Sequence, residues 1–327
     1  MTKIVQVGCG YWGKNLVRNF AKLEVLGGVV DGESEVTARM QEIYGVPATS
    51  FEAALANPEI DGIALATPAE THAVLATKAL EAGKHVYVEK PLALKPADAE
   101  ALIDLAGNLD RRLMVGHLLQ YHPIFIALRG HVDAGLIGDV EYVYSNRMSF
   151  GKFRTEENVL WSFAPHDFSM LLSLVGQAPT SVTAQGASIV TPDVADWCTA
   201  QFEFENGVRG HIQVSWLHPF KEQRLVVVGS KGMLVFEDSV ADWDKKLAHY
   251  PHAINTEGPV PVAEKADAIY LEVPKGEPLW NECQHFVDCI RSGANPRTDG
   301  NEGLLVLRAL SAAERALAAS LAGDRVQ

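Results

Sequence analysis

Apolar and polar positions follow two different patterns along the chain. Over the first 118 residues, short apolar runs at Lys3–Val7, Leu26–Val30, Gly62–Leu65, His85–Val88 and Leu113–Gly116 each have the length of one buried strand. Between them, Trp12–Lys22, Glu33–Tyr44, Phe51–Ala56, Glu70–Ala82 and Lys95–Asn108 carry apolar residues at helical spacing, with Gly83 as a C-terminal stop and Pro96 in an early helical turn. A weaker strand is expected near Val46–Ala48. Strand and helix in turn predict a parallel α/β sheet over residues 1–118.

After Pro123 a helix (Ile124–Asp133) leads into longer strands with one polar face, at Val140–Asn146, Ser181–Ser188, Gln223–Val228 and Met233–Glu237, with Gly229–Gly232 as a turn. In "TAQFEFENGVRGHIQVSW", Ala200, Phe202 and Phe204 alternate with Gln201, Glu203 and Glu205, and Val208, Ile212, Val214 and Trp216 resume the apolar face. Asn206-Gly207 between them is expected to supply the two positive-φ residues of a tight hairpin. Residues 119–327 therefore predict a second domain built on one mostly antiparallel sheet. A helix around His166–Val175 covers one face, helices Leu279–Arg291 and Glu302–Ala322 close the chain, and residues 251–278 read as irregular surface.

A length of 327 residues suits two domains, and 47% hydrophobic with 21% charged residues is the balance of a soluble globular protein. No apolar run approaches the roughly 18 residues of a membrane helix, and "MTKIVQVGCG" has no export signal, so the expected compartment is the cytoplasm. Forty-one acidic residues against 28 basic ones give a net charge of −13, which argues against nucleic acid as a partner. Cys9, Cys198, Cys283 and Cys289 form no C-x-x-C pair, so neither a metal site nor a disulfide framework is expected.

"KIVQVGCGYWGKNLVRNF" is a strand followed by G-x-G-x-x-G and a helix. Gly8 permits the tight turn, Gly10 lets backbone N–H groups approach a pyrophosphate, and Gly13 allows the helix to pack closely on the strand. Asp31 ends the second strand, where an acid accepts bonds from both adenosine ribose hydroxyls and repels a 2′-phosphate, which favours NAD over NADP. Ligands of a parallel sheet gather at the carboxyl ends of its strands, and Thr67-Pro68, Glu89-Lys90-Pro91 and His117 also fall there. Glu89 and Lys90 thus leave a buried strand where the nicotinamide end of the dinucleotide is expected.

With "VGCGYWG", "ATPAETH", "VEKPLAL" and "WSFAPHDFSML", the chain resembles the glucose-fructose oxidoreductase/inositol dehydrogenase (Gfo/Idh/MocA) family over essentially its whole length. The resemblance implies a Rossmann domain, a C-terminal α/β domain with an open-faced sheet that often mediates oligomerisation, here a homodimer or homotetramer, and a nicotinamide cofactor. It makes Lys90 a catalytic residue, with Pro91 often cis, and places Tyr11, Trp12, His72 and Glu89 with Gly8, Gly10, Gly13, Asp31, Thr67 and Pro68 around the cofactor. His166 matches the family's histidine at the start of a helix. Many members carry aspartate four residues earlier where this chain has Ser162, which leaves His166 as the general base, with Asp167 as a possible assistant.

"YHP", "YSNRMSFGKFRTEENVLWSFAPHD" and "SWLHPFKEQRLVVVGSKGM" are similar to a subgroup acting on UDP-linked amino sugars, the UDP-N-acetylglucosamine 3-dehydrogenases. That similarity implies a UDP-sugar substrate held by His117, Tyr121, His122, Arg147, Arg154, Trp161 and Asp167. It also implies a partner aminotransferase, in the making of 2,3-diamino sugars for lipid A or surface polysaccharides. Arg147, Lys152, Arg154, Lys221 and Arg224 are cations of the kind a diphosphate requires.

The expected chemistry is hydride transfer from C3 of the sugar, with Lys90 on the hydroxyl and His166 taking its proton directly or through a relay. Glu89 either offsets a lowering of the Lys90 pKa or orients the lysine. Two alternatives stand beside this reading: a 3-dehydrogenase of UDP-N-acetylglucosaminuronic acid, and a non-catalytic NAD-sensing protein on the same fold.

Overall fold

The computed structural model describes residues 2–151 and 153–323. Its contacts group Met1–His122 with Gly276–Leu307, and Pro123–Lys275 with Arg308–Gln327. The sequence reading placed all of 119–327 in one domain; residues 276–307 instead complete the core of the first unit.

In that unit the elements alternate as the pattern predicts: β1 (Ile4–Val7), α1 (Gly13–Lys22), β2 (Leu26–Val30), α2 (Ser34–Tyr44), α3 (Phe51–Ala56), β3 (Gly62–Leu65), α4 (Ala69–Glu81), β4 (His85–Glu89), α5 (Pro96–Asn108) and β5 (Leu113–Gly116). The strands lie in the order β2-β1-β3-β4-β5, and every neighbouring pair is parallel. The expected strand at Val46–Ala48 shrinks to a single bridge between Val29 and Ala48.

The second unit contains α6 (Pro123–Asp133), β6 (Val140–Phe150), α7 (Val159–Phe163), α8 (Pro165–Val175), β7 (Ser181–Ala187), β8 (Trp197–Glu203), β9 (Arg209–Ser215), β10 (Leu217–Gly229), β11 (Gly232–Glu237) and β12 (Leu247–Tyr250). Then come three short strands, β13 (Ala253–Asn255), β14 (Val262–Glu264) and β15 (Ile269–Tyr270), where the sequence suggested only irregular chain. Their short, exposed segments lack the apolar alternation that marks a half-buried strand. Eight strands form one sheet in the order β15-β12-β11-β10-β6-β9-β8-β7; β6 and β9 pair in parallel and the other neighbours are antiparallel.

The β8–β9 turn differs from the expected two-residue hairpin. Gly207 has φ +87°, whereas Asn206 is not among the positive-φ residues. Gly207 N–H donates to the Phe204 carbonyl and Phe204 N–H to the Val208 carbonyl, which closes a three-residue turn with glycine at its left-handed position. Asn206 accepts the Val208 N–H through its side chain instead.

The last two helices are α9 (Pro278–Ser292) and α10 (Gly300–Gly323). The apolar stripe of α9, with Leu279, Cys283, Phe286 and Val287, joins Phe20 of α1, Ala64 of β3, Tyr87 of β4 and Met114 of β5 in one buried cluster. Burial of such side chains contributes roughly 1.5–3 kcal/mol each, which is why a segment so late in the chain belongs to the first unit. Among the described residues, no helix is long and apolar enough to cross a membrane.

One histidine ties this sheet to pH. His85, the first residue of β4, accepts the Arg112 backbone N–H on Nδ1 at 2.9 Å, a bond that requires an unprotonated nitrogen. Burial first, then the charges of Arg111 and Arg112, lowers its pKa from 6.5 to about 4. The unfolded chain therefore binds the proton first: the stabilising contribution is complete above pH 6.5 and declines as pH falls towards about 4. Across that window the melting temperature of His85→Gln is expected to fall less steeply than that of the unaltered protein; parallel slopes in thermal denaturation would remove His85 from the acid response.

Candidate functional site

Parallel pairing sends the carboxyl ends of all five strands of the first unit to one edge. The strand order reverses direction between β1 and β3, the place where a crevice opens in such sheets. Gly8 turns there with φ +81°, and a Cβ on it would lie 2.6 Å from the Ala66 carbonyl oxygen. A Cβ on Gly13 would lie 1.9 Å from the Gly8 carbonyl oxygen, so α1 can start only if this residue is glycine. Gly10, by contrast, faces open space. Beside it lies a cleft of about 610 Å³ whose walls include Gly8, Gly10, Asp31, Ser50, Thr67 and Pro68.

Asp31 is locked into that wall. Its Oδ2 accepts the Cys9 backbone N–H at 2.7 Å and its Oδ1 the Glu33 backbone N–H at 3.0 Å. Each carboxylate oxygen keeps a further acceptor position for a ribose hydroxyl. Cys9 beside it is no nucleophile: burial first, then the Asp31 charge, pushes its thiol up to about 12. Open backbone at Gly10, the start of α1 and a fixed carboxylate at the end of β2 together fit a dinucleotide.

Lys90 follows β4 directly, and its bond to Pro91 is cis. The loop is fastened from two sides. His72 of α4 is buried, with Nδ1 at 2.8 Å from the Pro91 carbonyl oxygen and Nε2 at 2.9 Å from that of Thr67, so it staples two strand-end loops together. Burial lowers the His72 pKa, and both carbonyls oppose the shift. Glu89 Oε1 accepts the Trp12 indole N–H at 2.5 Å and the Tyr87 hydroxyl at 2.9 Å, which ties the glycine turn to the lysine loop. Tyr11, 89% exposed, lies under Lys14 at 5.4 Å.

Below this loop Tyr87 also lies 3.1 Å from Oε2 of Glu282, a fully buried residue of α9. Burial raises the Glu89 pKa against the pull of Trp12, Tyr87 and Lys90. Burial and the neighbouring Glu89 raise that of Glu282 well above the usual carboxylate range.

The residues expected on a sugar divide between surface and interior. His117, at the end of β5, is buried and pairs through Nδ1 with Glu302 Oε2 at 2.6 Å. Tyr121 sits in the core with its hydroxyl 2.9 Å from Thr298 Oγ1, so its phenol is committed inward rather than presented to a ligand. Bulk explains the difference: a large side chain in the turn after β5 fills the core under α9. His122 is buried as well.

In the second unit, His166 is half-buried in the first turn of α8. Asp167 next to it is fully buried, and both of its oxygens are engaged by β6: Oδ2 takes Arg147 Nε at 2.6 Å, and Oδ1 takes Ser145 Oγ at 2.6 Å and Arg147 NH2 at 3.2 Å. Arg147 is thereby neutralised locally. Arg154 pairs with Glu157 at 3.1 Å, and Arg224 with Glu237 and Glu222. The cations expected to form a diphosphate cluster thus carry acidic partners; Lys152 lies outside the described residues and Lys221 is exposed. Trp161 donates its indole N–H to Glu314 of α10 at 3.1 Å, and Glu314 also takes the Asn158 amide. Ser162 is buried.

Sequence reasoning overlooked Tyr87, Glu282, Glu302 and Glu314. Two left a signal. Tyr87 and Glu89 are two apart in a strand and so share a face, and a tyrosine in a buried strand needs a partner for its hydroxyl. Glu282 interrupts the apolar stripe Leu279, Cys283, Phe286 of α9, the kind of inward-facing acid that marks a polar site.

The family model described as the oxidoreductase family, NAD-binding Rossmann fold, matches residues 2–117, and the Gfo/Idh/MocA C-terminal domain matches residues 125–235. A UDP-N-acetylglucosamine 3-dehydrogenase of Acidithiobacillus ferrooxidans is 29% identical over 93% of both chains. A solved structure of the enzyme of that name from the same organism has a TM-score of 0.86 at 27% identity, covering 98% of each chain. An inositol 2-dehydrogenase of Rhizobium meliloti is 27% identical over 84% of both chains. The cofactor is NAD.

Asp31→Ala is expected to weaken NAD⁺ about tenfold, the loss of roughly one charge-assisted bond, while leaving NADP⁺ unaffected or tighter. Calorimetric titration with both cofactors checks this, and an unaltered NAD⁺ to NADP⁺ preference would release Asp31 from the role.

Proposed function

Because the chain belongs to the Gfo/Idh/MocA family of oxidoreductases and carries that family's NAD-binding Rossmann domain, we propose that it oxidises the 3-hydroxyl of UDP-N-acetylglucosamine to the 3-keto nucleotide sugar. The observation that carries this reading is the Trp12–Glu89 hydrogen bond, which couples the glycine turn to the loop bearing Lys90 at the carboxyl edge of the sheet. Likeness over nearly the full length to the Acidithiobacillus ferrooxidans enzyme supports the choice of sugar and carbon.

Bound NAD⁺ supplies the hydride acceptor. The turn built by Gly8, Gly10 and Gly13 would hold its pyrophosphate and Asp31 its adenosine ribose, with Thr67, Pro68, Tyr11 and Trp12 bordering it. Lys90 holds the reacting hydroxyl and His166 removes its proton. His72, Glu89 and Asp167 act on position: the first two fix the loops beside Lys90, and the third anchors the turn of His166 to Arg147 and Ser145. Arg154 and Trp161 contact the nucleotide sugar, and His117 and His122 are further candidates for that role. The 3-keto product is the substrate class of an aminotransferase. The enzyme works in the cytoplasm as a homodimer or homotetramer.

Likeness to an inositol 2-dehydrogenase favours a second reading, oxidation of a cyclic polyol. Ser162, four residues before His166 where an inositol-type Asp/His pair would have its acid, weighs against it.

Incubation with NAD⁺ and, separately, UDP-N-acetylglucosamine, its uronic acid and myo-inositol, followed by NADH absorbance and trapping of the ketone with an aminotransferase and glutamate, tests the proposal. NADH and a 3-amino sugar are expected from UDP-N-acetylglucosamine. Turnover with myo-inositol alone would transfer the function to a polyol, and turnover with none would leave an NAD-binding protein without this chemistry. Lys90→Ala is expected to lower kcat by about 10²–10⁴-fold while NAD⁺ still binds.

A further inference from the structure

Glu89, Tyr87 and Glu282 form a chain in which the hydrogens can be counted. The Tyr87 hydroxyl has one hydrogen and lies within reach of two carboxyl groups, 2.9 Å from Glu89 Oε1 and 3.1 Å from Glu282 Oε2. The Trp12 indole is a donor only and already serves Glu89 Oε1 at 2.5 Å. If both carboxyls were ionised, one of them would face the phenol oxygen with no hydrogen between, at a place where Tyr87 and Glu282 are both fully buried. Packing on the β5 side is tight: a Cβ on Gly116 would lie 2.6 Å from the Tyr87 hydroxyl oxygen and 2.8 Å from Glu89 Oε2. The chain therefore holds one proton more than two carboxylates and a phenol supply.

The surroundings decide where that proton sits. Glu89 faces three groups that favour a negative charge: the Trp12 indole, the backbone N–H of Lys90 and the Lys90 side-chain charge. Glu282 has none of these. Among the described residues its Oε1 is buried without a partner and its Oε2 meets only Tyr87. The groups around it are Tyr87 and Glu89 of β4, Glu302 of α10, Tyr121 after β5 and Cys283 on its own helix, while Arg18 and Lys22 of α1 are paired with Glu277. An ionised carboxylate there would lack a cation partner among the described residues.

We propose that Glu282 is a neutral carboxylic acid that donates to Tyr87, so that the phenol hydrogen is directed to Glu89 and Glu89 remains the accepting carboxylate that positions Lys90. Glu282 and Tyr87 are positioning residues; neither touches the reacting atoms. The location of the proton does not depend on the reaction, whereas its consequence for Lys90 rests on the role proposed above for that lysine.

Infrared difference spectra of the full chain at neutral pH, unaltered protein minus Glu282→Gln, are expected to contain the C=O stretch of a neutral carboxylic acid. Loss of a carboxylate band in its place would overturn the assignment. In Tyr87→Phe the same neutral-acid band is expected to persist at higher frequency, because its acceptor is gone. That shift decides the matter alone if Glu282→Gln does not fold, and an unmoved band there would overturn it. Tyr87→Phe also removes a donor from charged Glu89 and so raises its pKa. The acid limb of the kcat–pH profile is therefore expected to move up by about one pH unit. A limb that stays in place, with the infrared result as expected, would leave the neutral acid standing and break its link to Lys90. Absence of turnover on every substrate would leave the infrared outcome untouched, so the two proposals fail separately.

Discussion

Parallel pairing is the constraint on which the first unit depends. Once β1 to β5 run the same way, every strand ends on one edge, and the glycine turn, Asp31, Thr67, Lys90 and His117 are delivered there by the chain's direction alone. The right spacing of βα units is enough to gather them. What direction cannot do is hold each loop still, and the structure spends buried polar groups on that task. His72 joins the Thr67 and Pro91 loops, Glu89 joins the Trp12 turn to β4, and His117 pairs with Glu302.

Such groups carry a cost. A carboxyl taken out of water is unfavourable unless its hydrogen bonds are met, and removing one partner leaves the other stranded. Glu89 meets that requirement with an indole, a phenol and a backbone N–H, and Tyr87 is steadied by the Phe286 ring, edge-on at 5.9 Å. The segment that supplies Phe286 and Glu282 is α9, from far down the chain. Stability of the first unit and the electrostatics beside Lys90 are thus set by the same helix.

The second unit solves a comparable problem with an ion pair. Asp167 in α8 is wholly buried and bonded to Arg147 and Ser145 of β6, which fixes the start of the helix that bears His166. Glu314 of α10 does the same for α7 through Asn158 and Trp161. Buried pairs of this kind add little net stability, but losing one partner is expensive, and they hold geometry well.

Alternation alone determined the five parallel strands, the helices between them and the longer strands of the second sheet, because strand and helix periods are local properties of the chain; the family came from a resemblance carried by four short motifs. The glycine turn and Asp31 were equally legible, since their spacing is set by a single βαβ unit. Asn206 was misjudged because a side-chain bond from Asn206 to Val208 N–H competes with the left-handed backbone it was expected to adopt. Tertiary structure alone decided the rest. Whether Tyr121 or Arg154 faces a ligand, a carboxylate or the core depends on contacts between segments far apart in sequence. Glu282 reaches Tyr87 across 195 positions, a distance over which no local pattern carries information.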